Sequence, residues 1–226
     1  MSLKLKATSA KKSNNNGRVD EGTYLTRIAQ IIDMGMQAQT DWQTQEVKLD
    51  DNGKAIYKHE IMVTFEFSTE RMEIKGESKP RWLSKNYAVS MHEKAALVAL
   101  IKAIVPNTDL KGFDVSKLVG AAAMVTVGST ASGNAKISSV AGVPRGMAIA
   151  NLENDTRVFD IHDPDMDVWD ALPEWVCKKI IESPTVRGTR LEELILSPQH
   201  EDRPTKRTPA ESKESDPNFD SDEIPF

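Results

Sequence analysis

The sequence predicts a mainly β fold: a five-stranded barrel with one helix between strands three and four, then a small C-terminal α-helical appendage and a disordered acidic tail. Three observations point there. Residues 59–68 alternate apolar and polar with period two, residues 92–105 form an apolar stretch of helical character stopped by Pro106, and a Gly/Ser/Asn-rich turn at 128–134 separates two further apolar runs. A chain of 226 residues is long enough for one substantial domain with an appendage. The lone Cys177 leaves no disulfide to form.

Taken in order, residues 1–20 mix lysine, serine and the run Asn14-Asn15-Asn16-Gly17, with almost nothing to bury, and are expected to be a disordered basic arm. Order is expected to begin near Gly22. Alternation through Tyr24, Thr26, Ile28, Gln30 and Ile32 predicts a long first strand over 23–42. The connection that follows has its tip at Asp51-Asn52-Gly53, where Asn and Gly tolerate positive φ. In the second strand, 59–68, Ile61, Val63, Phe65 and Phe67 share one face and Met62, Thr64, Glu66 and Ser68 the other, the pattern of a half-buried strand. A charged connection ends at Pro80. The third strand, 81–91, points Leu83, Tyr87, Val89 and Met91 inward, with Lys85 interrupting that face.

The period then changes. Ala95, Ala96, Leu97, Val98, Leu100, Ile101 and Ile104 predict a helix with Ser90 as cap. Residues 109–118 read as a loop or short helical turn, 121–127 as a fourth strand and 135–143 as a fifth. Three strands, a helix and two strands is the chain order of an OB-fold, here assigned to residues 21–146. In the appendage, 147–196, residues 158–161 predict a short strand, and 173–183 a helix with Trp175, Val176, Ile180 and Ile181 on its apolar face. This segment is expected to pack against the barrel. From residue 197 onward proline, serine, threonine and charges dominate, and disorder is expected.

The net charge of -5 conceals an asymmetry. Residues 1–20 carry five Lys/Arg against one Asp, and 21–150 carry 15 basic against 14 acidic side chains; 151–196 carry 5 against 11, and 214–226 hold five acids and no base. Residues 1–213 sum to zero, so the tail holds the whole excess and overall acidity is a poor guide to the body's partners.

The chain ends Asn218-Phe219-Asp220-Ser221-Asp222-Glu223-Ile224-Pro225-Phe226. A terminal aromatic can fill an apolar pocket while its carboxylate meets an Arg or Lys; flanking acids strengthen encounter with a basic rim, and Pro225 limits the freedom lost on docking. Asp220, Asp222, Glu223, Ile224, Pro225 and Phe226 are therefore a candidate partner-docking peptide, set against the bland alternative of a solvating acidic segment. The ending resembles the tail of bacterial-type single-stranded-DNA-binding proteins. The body resembles phage-encoded single-stranded-DNA-binding proteins in Gly22-Thr23-Tyr24, Pro80-Arg81-Trp82, Met91-His92-Glu93-Lys94, Gly112-Phe113-Asp114 and Lys117-Leu118-Val119-Gly120. That resemblance implies an OB-fold and a role in phage replication, recombination or repair.

Sequence-tolerant binding of single strands needs cations for phosphates and aromatic faces for bases, each stack being worth roughly 1–3 kcal/mol. The OB surface that supplies them comprises strands two and three with the loops joining strands one-two and four-five. Candidates are Trp42, Lys48, Lys54, Tyr57 and Lys58 in or beside the first loop, Arg81, Trp82 and Lys85 at strand three, and Lys136 beside the last hairpin. Trp82 alternates with Ser84 and Asn86, which leaves base stacking and barrel-edge packing both open. Trp42 and Tyr57 have stacking and hairpin clasping as equal alternatives, while Tyr87 and Phe65 belong to the core face. The acidic tail is a further candidate occupant of the groove when DNA is absent.

No metal or other cofactor is expected. Asp163, Asp165, Asp167 and Glu174 have calcium-loop spacing, but Val168 replaces the required glycine and Pro164 intrudes; capping and loop roles are simpler. His59, His92, His162 and His200 lie at no zinc-ligand spacing, and no phosphate loop or nucleophile elbow occurs, so an enzyme is not expected. Without a membrane-length apolar run or secretory leader, a cytoplasmic protein is expected, in the host cell if phage-encoded. The competing expectation is a replication-complex adaptor whose barrel binds protein rather than DNA.

Overall fold

The computed structural model describes residues 18–196 apart from positions 42, 43, 45 and 75; the tail, the linker before it and the arm up to residue 17 lie outside the described residues. The fold is mainly β. Strands β1 (Gly22–Ala38), β2 (Tyr57–Ile74), β3 (Glu77–Ala88), β4 (Ala122–Ser129) and β5 (Ala135–Ala141) form an antiparallel sheet in the order β3-β2-β1-β4-β5, and β6 (Arg157–Phe159) pairs in parallel with β1. The helices are α1 (Ala96–Ile104), α2 (Met166–Asp170), α3 (Glu174–Glu182) and α4 (Arg190–Leu196), with 3-10 turns at Val115–Leu118 and Pro184–Val186. A closed barrel was expected, but among the described residues no ladder joins β3 to β5 and the sheet stays open there.

Strand β1 serves two neighbourhoods because it bends. Register shifts between Ile28 and Gln30 and between Asp33 and Gly35 break its pairing with β2; its first half pairs with β4 and its centre with β6. Order starts earlier than Gly22, since Val19 has a core to enter and the Arg18 guanidinium donates to the carbonyl of Gly133 in the β4–β5 turn.

Ile61, Val63, Phe65 and Phe67 of β2 enter one core with Ile28 and Ile31 of β1, Tyr87 of β3, Val125 and Val127 of β4 and Ile137 of β5. Leu97, Leu100 and Ile101 of α1 close it. The half-buried reading of β2 is corrected: Met62, Thr64 and Glu66 on its other face are buried too. The appendage covers Met62 and Glu66, and Thr64 between them bonds to Gln30 and Ser84. Phe159, Ile161, Trp169, Leu172, Val176 and Ile180 build a second core on Ile32, Met34 and Met62. At its edge Gly35, with φ +68, admits the Ser183 side chain, which donates to the Met36 carbonyl, while the Met36 N–H donates to Thr185.

Several boundaries move for local reasons. The expected charged connection before Pro80 is a continuation of the β2–β3 hairpin, with Arg71 opposite Pro80 and Ile74 opposite Glu77; Gly76, with φ +83, belongs to its turn. Strand β3 ends at Ala88, so Val89 and Met91 are exposed rather than inward. Ser90 does not cap α1: it accepts from the N–H of His92 in a preceding turn, and the helix starts at Ala96 with no side-chain cap. In α3, Cys177 rather than Ile181 joins Val176 and Ile180 in the buried face, leaving Ile181 exposed.

Candidate nucleic-acid interface

Beyond the sheet, the β1–β2 connection folds as an arm. The Gln39 N–H donates to Ile56, the Lys48 N–H to Gln39 and the Ile56 N–H to Lys48, with bridges between Thr40 and Val47 and between Leu49 and Ala55. Asp50 accepts from the backbone of Asn52 and Lys54, and Gly53 has φ +73, so the turn signal folds as its chemistry demands. On this arm Lys54 is exposed and Lys48 half-buried, and where it enters β2 Lys58 is exposed and Tyr57 is 42% exposed. Val47, Leu49 and Ile56 are exposed beside them. Cations and solvent-facing apolar groups thus share one projection. Trp42 lies outside the described residues.

Lys85 and Lys136 are brought to a different place, the open seam. The Lys85 ammonium donates to the carbonyl of Ile137, next to Lys136, at 3.2 Å and lies 5.7 Å from the Tyr87 ring centroid. A lysine can interrupt the apolar face of β3 because its ammonium finds a carbonyl acceptor across the gap between the strands. Burial pushes the Tyr87 hydroxyl well above the ordinary phenol range.

Arg81 and Trp82 sit at neither place. The Arg81 side chain donates to the carbonyl of Arg71 across the hairpin. Trp82 lies on the outer face of the sheet, half-buried, with its indole N–H on Glu66 at 3.0 Å and the Arg157 guanidinium 5.6 Å from its ring centroid. Both readings of Trp82 thereby narrow: one partner already occupies the ring, and stacking of a base must use what Arg157 leaves or displace it.

A strap, residues 150–156, crosses this outer face. Arg27 holds its start through the Ala150 carbonyl. Glu66 accepts from the N–H of Glu153 at 2.8 Å and from the Asn154 amide at 2.7 Å, and Arg71 grips the Glu153 carboxylate with two hydrogen bonds of 2.6 and 3.0 Å. The Arg71 guanidinium holds the Glu153 carboxyl below its usual range. Burying Glu66 is tolerated because the Trp82 indole, the Glu153 N–H and the Asn154 amide are all donors aimed at its oxygens.

Arg27, Arg71, Arg157 and Glu153 were not among the candidates. Period-two alternation of Met72 and Ile74 with Arg71 and Glu73 was the one signal that Arg71 lay on a strand. Nothing local pairs it with a residue 82 positions away. The docking peptide Asp220, Asp222, Glu223, Ile224, Pro225 and Phe226 lies outside the described residues. Among the described residues no three His, Cys, Asp or Glu are placed to hold a metal ion; Asp165 instead caps α2 through the N–H groups of Asp167 and Val168. Among them too, no helix is long and apolar enough to cross a membrane. No family model, curated protein or solved structure matches the chain.

Proposed function

We propose that this protein binds single-stranded DNA with little sequence preference through an OB-type barrel, protecting or organising it during phage replication, recombination or repair, and recruits partners through its C-terminal Ile-Pro-Phe tail. The observation that carries this reading is the arm between β1 and β2: exposed Lys54 lies in the connection that OB-folds use to grip a strand, and exposed Tyr57 and Lys58 stand where it enters β2. The sheet order and α1 between β3 and β4 support the same fold, with β3 and β5 at opposite ends of the order and bridged by Lys85.

Titration with oligo-dT, read by quenching of the tryptophans, tests it. Binding should weaken steeply with salt as phosphate contacts release counterions. Reversing Lys54 and Lys58 to Glu should lower affinity by about tenfold or more at low salt, with the melting temperature unchanged.

The adaptor reading keeps one observation of its own. The arm exposes Val47, Leu49 and Ile56, apolar side chains that suit a protein contact better than a phosphate backbone. No quenching and no mobility shift at low salt would select the adaptor.

A further inference from the structure

Trp82, Arg71 and Arg157 are the ingredients of a single-strand site, an aromatic face beside two cations, yet Arg71 is held by the strap, and Trp82 is occupied by Arg157 and by Glu66, on which the strap is fastened. We infer that residues 150–156 mask a second single-stranded-DNA surface on the outer face of β2 and β3, with the Glu153 carboxylate standing where a phosphate would lie. The inference rests on the DNA-binding reading above.

The chemistry of the fastening favours a cover that can open. Arg71 holds Glu153 by paired N–H bonds, the geometry a guanidinium also offers to a phosphate. Both groups are partly exposed, at 38% and 48% of their side chains, so water and salt compete for the pair. Beneath, the strap meets the Glu66 carboxylate, and the small space between them is lined by Thr26, Arg27, Glu66 and Ser68 on the sheet side and by Ala150, Asn151 and the half-buried Leu152 on the strap side. Lifting it exchanges hydrogen bonds with Glu66 for hydrogen bonds with water, and the apolar burial given up within the strap is that of the half-buried Leu152. Arg27, Arg71 and Trp82 remain on the sheet when the strap leaves. So does Arg157, held by the pairing of β6 with β1 and by its bond to the Ala171 carbonyl. Glu66 keeps its bond to the Trp82 indole, and the oxygen that accepted from Glu153 becomes an acceptor for a base N–H.

Oligo-dT affinities of the full chain at fixed low salt decide the matter. Glu153→Gln should bind about fivefold tighter than wild type, the low end for two coupled sites, and adding Arg71→Ala should return it to the wild-type value. Glu182→Gln removes an equal charge from α3, far along the chain from the strap, and should leave affinity unchanged. Unchanged affinity in Glu153→Gln overturns the mask while leaving the DNA-binding reading intact. Equal tightening in Glu182→Gln, or tightening that survives Arg71→Ala, reduces the effect to net charge and overturns it as well. A folded wild type that binds no oligo-dT removes the DNA-binding reading, and the mask with it.

Discussion

The two faces of β2 bury neighbouring side chains by different means. Inward, Ile61, Val63, Phe65 and Phe67 make an unbroken apolar row that needs only close packing. Outward, Met62 meets the apolar layer of Phe159 and Trp169, but Thr64 and Glu66 are buried by hydrogen bonds to Gln30, Ser84, Trp82 and the strap. Burial by packing gains free energy with every contact, whereas burial by hydrogen bonds largely trades one partner for another. The inner core should therefore set global stability, and the polar half of the outer face should be the first part to open.

The largest effect should come from the inner face. Phe65→Ala is expected to cost about 4 kcal/mol, seen as a lower denaturant midpoint for the whole molecule. Trp169→Ala, the matching deletion outside, should cost about 3 kcal/mol, toward the low end for such a deletion, because it also removes a buried indole N–H that lacks an acceptor among the described residues. Hydrogen exchange separates them: the outer deletion should unprotect α3 while β4 and β5 keep their protection. Equal loss in both places would make the two cores one cooperative unit.

Gly35→Ala acts at the junction. The positive φ and the close approach of Ser183 together predict a loss of about 2 kcal/mol, confined by the same exchange measurement to the appendage.

The smallest effect is a titration. His59 donates to Asp33 at 2.6 Å, and this hydrogen bond, aided by the charges of Asp33 and Asp160, raises the imidazole above its ordinary value despite partial burial. A raised histidine contributes fully below its unfolded value near 6.5, and the contribution is lost as pH rises through the folded value. For a pair this exposed the step should be less than about 1 kcal/mol. Denaturant midpoints of wild type should fall across that window, and those of Asp33→Asn should not.

What was legible in the chain was whatever a few neighbouring residues enforce. The inner row of β2, the turn at Asp51-Asn52-Gly53 and the apolar face of α1 follow from period and turn chemistry, and so does the placing of Lys54, Lys58 and Tyr57 beside an exposed loop. The outer site was not. Arg71 meets Glu153 only because β2 runs past its register shift after Phe67 and because β6 returns the chain to β1.

Local sequence by itself determined where strands, turns and helix form, since φ/ψ preferences and a period of two or 3.6 act within a few residues. Tertiary structure alone decided that the second face of β2 is covered, that Trp82 has Arg157 on its ring, and that β3 and β5 leave a seam. Alternation sorts side chains into two faces without saying what will meet each. That depends on segments far away in the sequence, brought back by bends in β1 and by the second apolar core.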